Sequence, residues 1–478
     1  MAVIQAPKPN RDSVTTIAAD GSRVFLHPSE VKGRFTISRR LVAYALIVFY
    51  LALPWIPING APAVFLDVGG RRFHLFGATL AFQDAWLLFF VITGLAFTLF
   101  FVTALLGRVW CGWACPQTVF MEHVFRRIEY WIEGDAITRR ALDQADWGVS
   151  KVLKRGAKHV AFFVVSAGVA HLFLAYFVSL QELWHMMRAA PVEHWSAFLF
   201  VFLSSGVLYF NFAWFREQMC IVICPYGRMQ SALLDDHSLV VAYDAQRGEP
   251  RAKAGTPDAG ACIDCRRCVQ VCPTGIDIRQ GLQIECVACT ACIDACDEVM
   301  DRVHRPRGLV RYTSQVALSG KKTRWLRPRT VVYSVLLLAG VSVASWALST
   351  VRPAAMSITR MIGAPYFVDD TSVRNQFMLR LVNKQATPVR FVVTVDALPA
   401  GVVRTGFDEP IEIPALGEIV QPIVLRQARE NFTGLFAFVV RVRDEGSTFS
   451  LRKEAEFLGP DAGLLRADTA ANKGKVKP

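Results

Sequence analysis

Five stretches of the chain run apolar for long enough to cross a bilayer without an Asp, Glu, Lys or Arg: Leu41 to Ile58, Ala85 to Leu106, His159 to Leu180, Trp195 to Phe215 and Val331 to Leu348. Each is expected to be a membrane-spanning helix. The first is interrupted late by Pro54 and Pro57, and the fifth carries the small residues Gly340, Ser342 and Ser345. The first begins only after a polar, Arg-bearing tail, and no small-residue cleavage site follows it, so it reads as an uncleaved anchor. From about Arg374 the period shortens to two, as in Gln376-Phe377-Met378-Leu379-Arg380-Leu381-Val382, with turn signals at Asn383-Lys384, Leu398-Pro399-Ala400-Gly401 and Asp444-Glu445-Gly446. Several short strands over about 100 residues predict an all-β, immunoglobulin-like sandwich that, lacking cysteine, is held by core packing alone. Residues 1 to about 30 and 463 to 478 are poor in apolar side chains and are expected to be mobile tails.

Composition agrees: 478 residues, 53% hydrophobic and 33 of them Phe, are too apolar for a simple soluble carrier. The net charge of +13 is distributed unevenly. Lys8, Arg11, Arg23, Lys32, Arg34, Arg39 and Arg40 precede the first span, and two further basic runs lie in residues 107–158 and 302–329, whereas residues 59–84 hold only Arg71 and Arg72 and residues 181–194 only Arg188. The rich side is expected to be cytoplasmic, which puts the N-terminus inside and the C-terminus in the periplasm of a bacterial inner membrane. The positive charge then reads as a topology signal rather than a nucleic-acid footprint. All twelve cysteines fall on or beside the predicted reducing side, and none lies in residues 349–478.

Eight of those cysteines repeat one spacing, Cys262-x-x-Cys265-x-x-Cys268-x-x-x-Cys272-Pro273 and Cys286-x-x-Cys289-x-x-Cys292-x-x-x-Cys296. This is the bacterial ferredoxin pattern for two 4Fe-4S clusters, in which the fourth cysteine of each run ligates the other cluster. Cys262, Cys265, Cys268 and Cys296 are therefore expected to hold one cube, and Cys286, Cys289, Cys292 and Cys272 the second. Disulfides would need an oxidising compartment, and zinc sites usually pair cysteines across a longer spacer. The second run ends in Asp297 where the first has Pro273, a position that ligates nothing.

The other four also form a duplicate: Cys111-Gly112-Trp113-Ala114-Cys115-Pro116 after the second span and Cys220-Ile221-Val222-Ile223-Cys224-Pro225 after the fourth. Residues four apart meet on one helix face about 5–6 Å apart, and the proline favours a helix end there. Both spans run toward the same side, so four thiols can converge. Such a set suits Cu(I), zinc or a further Fe-S centre, with Met219 and His123 as possible added ligands. A lone cysteine would read as packing; two copies at helix ends point to a metal or redox role. His171 is the only histidine deep in a span, so a bis-histidine haem is not expected. Arg71, Arg72, His185 and His194 read as surface groups or as groups facing a quinol.

The run Gly107 to Gln117, the run Arg216 to Arg228, the double ferredoxin segment and Pro306-Arg307-Gly308-Leu309-Val310-Arg311-Tyr312 resemble the cytochrome c oxidase accessory protein family called FixG, RdxA or CcoG. The resemblance covers about residues 35–460 and implies a cytoplasmic-membrane protein that reduces Cu(II) to Cu(I) during assembly of a cbb-type oxidase. It implies copper as substrate or bound ion at Cys111, Cys115, Cys220 and Cys224, with Met219 beside them. The partners it implies are oxidase assembly factors or a copper chaperone, with a quinol or cytoplasmic reductant as donor. A weaker resemblance is to the quinol-oxidising membrane ferredoxin subunit of periplasmic nitrate reductase systems. The expected organisation is a tail (1–40), four membrane helices (41–215) with both thiol motifs at or just beyond their cytoplasmic face, and a segment (216–329) enclosing a ferredoxin domain at about 255–300. A fifth span (330–349), an immunoglobulin-like domain (350–462) and a tail (463–478) follow.

Overall fold

The computed structural model describes residues 24–467 apart from 82, 83, 85, 351, 386, 447 and 448. Among the described residues, five helices are long and apolar enough to cross a membrane: Arg34–Trp55, Trp86–Leu106, Val149–Leu174, Trp195–Phe215 and Pro328–Ser349. Their number matches the sequence reading, but two boundaries move. The first helix stops at Ala52 and tightens into a 3-10 turn at Leu53–Trp55, because Pro54 and Pro57 cannot donate backbone hydrogen bonds. The third starts ten residues earlier than the apolar run and ends at Leu174, so that its first turns carry Lys151, Lys154, Arg155 and Lys158.

The described residues form two compact units, divided between 56 and 57, between 88 and 89 and between 344 and 345, so that 57–88 belong with the part after 344. In the first, Phe125 stacks on Phe212 at 4.2 Å and meets Phe162 edge-on at 4.9 Å, which packs the helix that follows the first thiol motif against the third and fourth spans. The ferredoxin segment is closed by an antiparallel pair, Val240–Tyr243 with Val310–Thr313, and carries its own core of Val241, Ile276, Ile278, Ile293, Met300 and Leu309. The stretch before the first span is partly ordered, contrary to the mobile tail expected. Val31 is buried against Val271 and Ala295, His27 is buried beside Asp143, and the Ser29 amide donates to the Gln270 carbonyl. The expectation for residues 1–23 lies outside the described residues.

The second unit is the predicted sandwich. One sheet has the order Val402–Thr405, Glu418–Ala428, Ser372–Asn383, Ala354–Arg360, with Phe367–Val368 added on Ser372–Asn383; the other runs Ile411–Ile413, Val389–Asp396, Phe436–Asp444, Ser450–Phe457. Alternation along Ser372–Asn383 buries Val373, Phe377, Leu379 and Leu381 against Phe438, Val440 and Phe457. Residues 462–467 form a helical turn whose Leu465 is buried in the same core, so the expected tail is shorter than 463–478, and its remainder lies outside the described residues. A three-stranded meander, Val64–Asp67, Arg72–Leu75 and Ala78–Ala81, occupies part of the connection between the first two spans and had no period-two signal strong enough to predict it.

Buried charge fastens the first unit. Glu129, 1% exposed, receives the Arg216 guanidinium at 2.8 and 3.1 Å and Arg139 at 3.1 Å, while Glu133 receives Arg155 at 3.1 Å and Lys158 at 3.0 Å. Burial alone would push the Glu129 carboxyl up; Arg216, Lys158 and Arg139 outweigh it and hold it down at about 2. Its stabilising share is thus complete above its ordinary value of 4.5 and is lost as the pH falls through about 2. Glu129→Gln strands the Arg216 charge and should cost about 3–5 kcal/mol. Thermal unfolding in detergent should show that loss at neutral pH, and the gap between variant and wild type should close as the pH is lowered through this window.

Candidate metal centre

In the ferredoxin segment each cysteine run is wound the same way. Asp264 and Ala288, two residues after the first cysteine, take left-handed φ of 50° and 51°, and Arg266 and Thr290, directly after the second, take 52° and 65°. Non-glycine residues adopt this region at a cost of about 1–3 kcal/mol each, so a repeated placement marks a loop shaped by what it encloses. The third cysteine of each run then enters a helix, Arg267–Gln270 or Ala291–Arg302.

Two cavities result. One is lined by Cys262, Cys265, Cys268 and Cys296, the other by Cys272, Cys286, Cys289 and Cys292 with Cys268 at its edge. The fourth cysteine of each run thus stands with the other run's first three, the grouping that crossed ligation requires. Burial pushes the Cys268, Cys286 and Cys296 thiols up to about 12 and Cys289 to about 11. A bound cation must offset that burial for thiolates to form. Soft donors, four per cavity and all but the exposed Cys265 buried or half-buried, fit a 4Fe-4S cube in each.

Backbone carbonyls of the second loop are gripped by cations that the cysteine pattern does not mention. Arg39 donates to the Cys289 carbonyl at 2.8 Å, Arg108 to the Cys286 carbonyl at 3.1 Å and to that of Ile284, and the Tyr312 hydroxyl to the Ala288 carbonyl at 3.3 Å. Arg39 was visible in the sequence only as a topology charge. Positive charge around a thiolate-ligated centre stabilises its more negative, reduced state.

The second thiol set is built differently from the expected single helix face. Cys111 lies in the short helix Val109–Trp113, whereas Cys115 is extended (φ −63°, ψ 126°) and caps the next helix, which Pro116 begins. In the other copy Met219–Ile223 is a π-helical turn and Cys224 (φ −60°, ψ 110°) caps the helix Pro225–Leu233. The proline therefore starts a helix more than it ends one, because its fixed φ suits the first helical position. Each second cysteine sits where backbone N–H groups are unpaired, and those of Thr118 and Gln117 act on Cys115.

The two pairs converge. Burial first, then the neighbouring Cys115, push the Cys111 thiol up to about 12, and Cys220 is raised to about 12 by burial and by Cys115, Cys111 and Cys224. The Cys111 thiol donates to Gln230 Oε1 at 3.4 Å. Among the described residues, no three of His, Cys, Asp and Glu stand close enough to share one ion, in this set or in the ferredoxin loops. Thiolates around a single ion with bonds of about 2.3 Å would lie within about 4 Å of each other, so an ion here would be held by two thiolates or would draw further ones in. Of the two added candidates, Met219 gives its carbonyl to the Cys224 amide at 2.8 Å, and its thioether makes no hydrogen bond among the described residues. His123 lines a separate cavity with Arg39, Glu122 and Arg126, and burial and Arg39 push it down to about 4.

The thiol set and the second ferredoxin loop touch through Gly112. A Cβ at that position would lie 2.6 Å from the Ala288 carbonyl oxygen and 2.7 Å from that of Val287, both in the second cluster loop. Only hydrogen fits there. The turn carrying Cys111 and Cys115 therefore rests directly on the backbone between Cys286 and Cys289.

Comparison with known proteins bears on each part. Residues 215–315 match a family described as 4Fe-4S dicluster domain, residues 86–135 a 4Fe-4S binding domain, and residues 344–460 the IG-like fold at the C-terminal of FixG. Protein RdxA of Cereibacter sphaeroides is 34% identical over 95% of this chain and 98% of its own length. Nitrogen fixation protein FixG of Rhizobium meliloti is 34% identical over 79% and 80%, and protein RdxB of Cereibacter sphaeroides 33% over 77% and 81%.

Anaerobically purified protein should contain about eight iron atoms per chain, the content of two 4Fe-4S cubes. Gly112→Ala must displace backbone of the second loop, since the atoms it would strike are carbonyl oxygens. Iron analysis with EPR of the reduced protein should show that variant losing about half its iron, with the signal of one cluster retained.

Proposed function

The chain belongs to the FixG/RdxA family and is a multi-pass membrane iron-sulfur electron-transfer protein, and on that premise we propose that it reduces Cu(II) to Cu(I) for assembly of a cbb-type cytochrome c oxidase. The observation that carries this reading is the contact at Gly112, which joins a soft thiol site to a cluster-binding loop with no intervening residue. The chemistry that the clusters supply when bound is storage and passage of single electrons, the unit in which Cu(II) is reduced.

In this reading Cys111, Cys115, Cys220 and Cys224 receive the copper substrate. Thiolates favour Cu(I) over Cu(II), so the donor set itself assists the reduction. Burial raises the Cys115 thiol, as it does those of Cys111 and Cys220, and the helix N-terminal amides of Thr118 and Gln117 only partly offset it, so all three stay protonated until a cation arrives. Arg39 and Arg108 hold the second loop in place against the thiol turn. The donor is a quinol or a cytoplasmic reductant.

The basic N-terminal segment and loops orient the N-terminus, the thiol set and the ferredoxin segment to the cytoplasm, and the sandwich after the fifth span to the periplasm. A cysteine-free sandwich there suits docking to an oxidase assembly factor or copper chaperone.

Replacing Cys111, Cys115, Cys220 and Cys224 together by Ser should leave iron content and the cluster EPR signal unchanged but abolish copper binding and Cu(II)-dependent cluster reoxidation. Equal reoxidation of both proteins by Cu(II) would reject the copper assignment. For topology, reporter fusions after Lys158 and Arg329 should read cytoplasm and one after Leu458 periplasm; a cytoplasmic C-terminus would remove the docking role of the sandwich.

A further inference from the structure

A cavity of about 690 Å³ lies among the first, third and fourth spans, and its wall includes the first thiol turn. Its lining is apolar over most of its surface, from Leu46 and Ile47 through Ala170 and Phe173 to Leu203 and Phe212. Between Leu203 and Phe212 the helix advances about 13 Å, so the cavity is long enough for a ring and the beginning of a tail. Ala114 and Pro116, the neighbours of Cys115, close one end.

Polar groups in this lining are few and concentrated. Gln117 and Asn211 hold each other reciprocally, Asn211 Nδ2 donating to Gln117 Oε1 at 2.7 Å and Gln117 Nε2 to Asn211 Oδ1 at 3.3 Å, while Gln117 also donates to the Arg216 carbonyl at 3.1 Å. Both Gln117 N–H groups are thereby used. Asn211 keeps a second N–H, and the Tyr50 hydroxyl makes no hydrogen bond among the described residues. A phospholipid acyl chain would leave both donors unmatched, at a cost that a ligand carrying carbonyl oxygens avoids. Size, an apolar wall and a few fixed polar groups are the marks of a small-molecule site.

We propose that this cavity binds an isoprenoid quinone or quinol, with its oxygenated ring at Asn211 and Tyr50 and its tail along Ala170, Phe173 and Leu203. The membrane depth of the lining requires a lipid-soluble ligand, the unmatched donors require oxygen acceptors on it, and the shared wall with a redox thiol turn favours a redox-active one. The site rests on the electron-carrier character of the chain and is independent of copper.

The test uses the iron-loaded protein in phosphatidylcholine nanodiscs and a short-tailed quinone bearing a photoreactive azide. Labelling should saturate, map to peptides containing Leu203–Phe212, and fall at least tenfold in the presence of excess unlabelled quinone. Val207→Trp, which adds bulk to an open part of the lining, should reduce labelling at least tenfold while iron content stays at the wild-type level. Ser204→Phe serves the same purpose if the tryptophan variant does not fold, and competition in the wild type decides the matter if neither does. Labelling that fails to saturate, that unlabelled quinone does not displace, or that persists in a folded, cavity-filled variant would overturn the proposal. Cu(II)-dependent reoxidation measured on the same filled variant should persist, so that failure of the copper reading and failure of this one are told apart.

Discussion

One carboxylate, that of Glu129, fixes where the two thiol pairs meet. It stands on the helix that follows the first motif, and its principal partner, Arg216, stands four residues before the second motif begins. Nothing in the covalent chain brings residues 111–115 and 220–224 together; their intervening connection exceeds a hundred residues and includes two spans. A bidentate guanidinium–carboxylate pair resists both sliding and rotation, which one hydrogen bond or a greasy contact would allow. Both Glu129 and Arg216 are buried, so little water reaches the pair to weaken it.

From that anchor the rest follows in order. The fixed thiol turn presents Gly112 to the second ferredoxin loop, and Arg108, at the N-terminal side of the turn, holds the carbonyls of Ile284 and Cys286. Arg39 performs the equivalent service from the first span on Cys289, and Thr36 donates backbone and side-chain hydrogen bonds to Asp294 at 2.7 Å. The ferredoxin segment is thus held to the membrane helices by charge-assisted contacts to backbone, which tolerate little displacement, and the amide pair at Gln117 and Asn211 continues the same network toward the lipid-facing cavity.

How much of this could be read in advance depends on whether a signal was local. The spacing of the eight ferredoxin cysteines is a coordination requirement written in consecutive residues, and five apolar runs announce five spans; the family resemblance rested on the same residues. Helix ends were less legible, because Lys151 to Lys158 fail an apolar criterion although a buried Glu133 receives two of their charges. The duplicated thiol motif was legible as two thiol pairs that converge but not in its geometry, since the i, i+4 rule assumes an unbroken α-helix and both copies break before the second cysteine. Arg39, Arg108 and Gly112 were hidden for a different reason. Their roles are toward residues more than 170 positions away, and no periodicity reports a contact of that kind.

The packing of the first span against the ferredoxin loops also sets a timetable for synthesis. Thr36 and Arg39 leave the ribosome before any complete span, and their partners Cys289 and Asp294 follow some 250 residues later, after four spans have been made. Contacts of such separation close late and slowly. Until then the nascent chain displays thiol-bearing loops and an arginine, Arg39, whose one acidic partner among the described residues is Glu122, so the interval between insertion of the fourth span and completion of Ala291–Arg302 is when the chain most needs a chaperone and when cluster delivery must be timed.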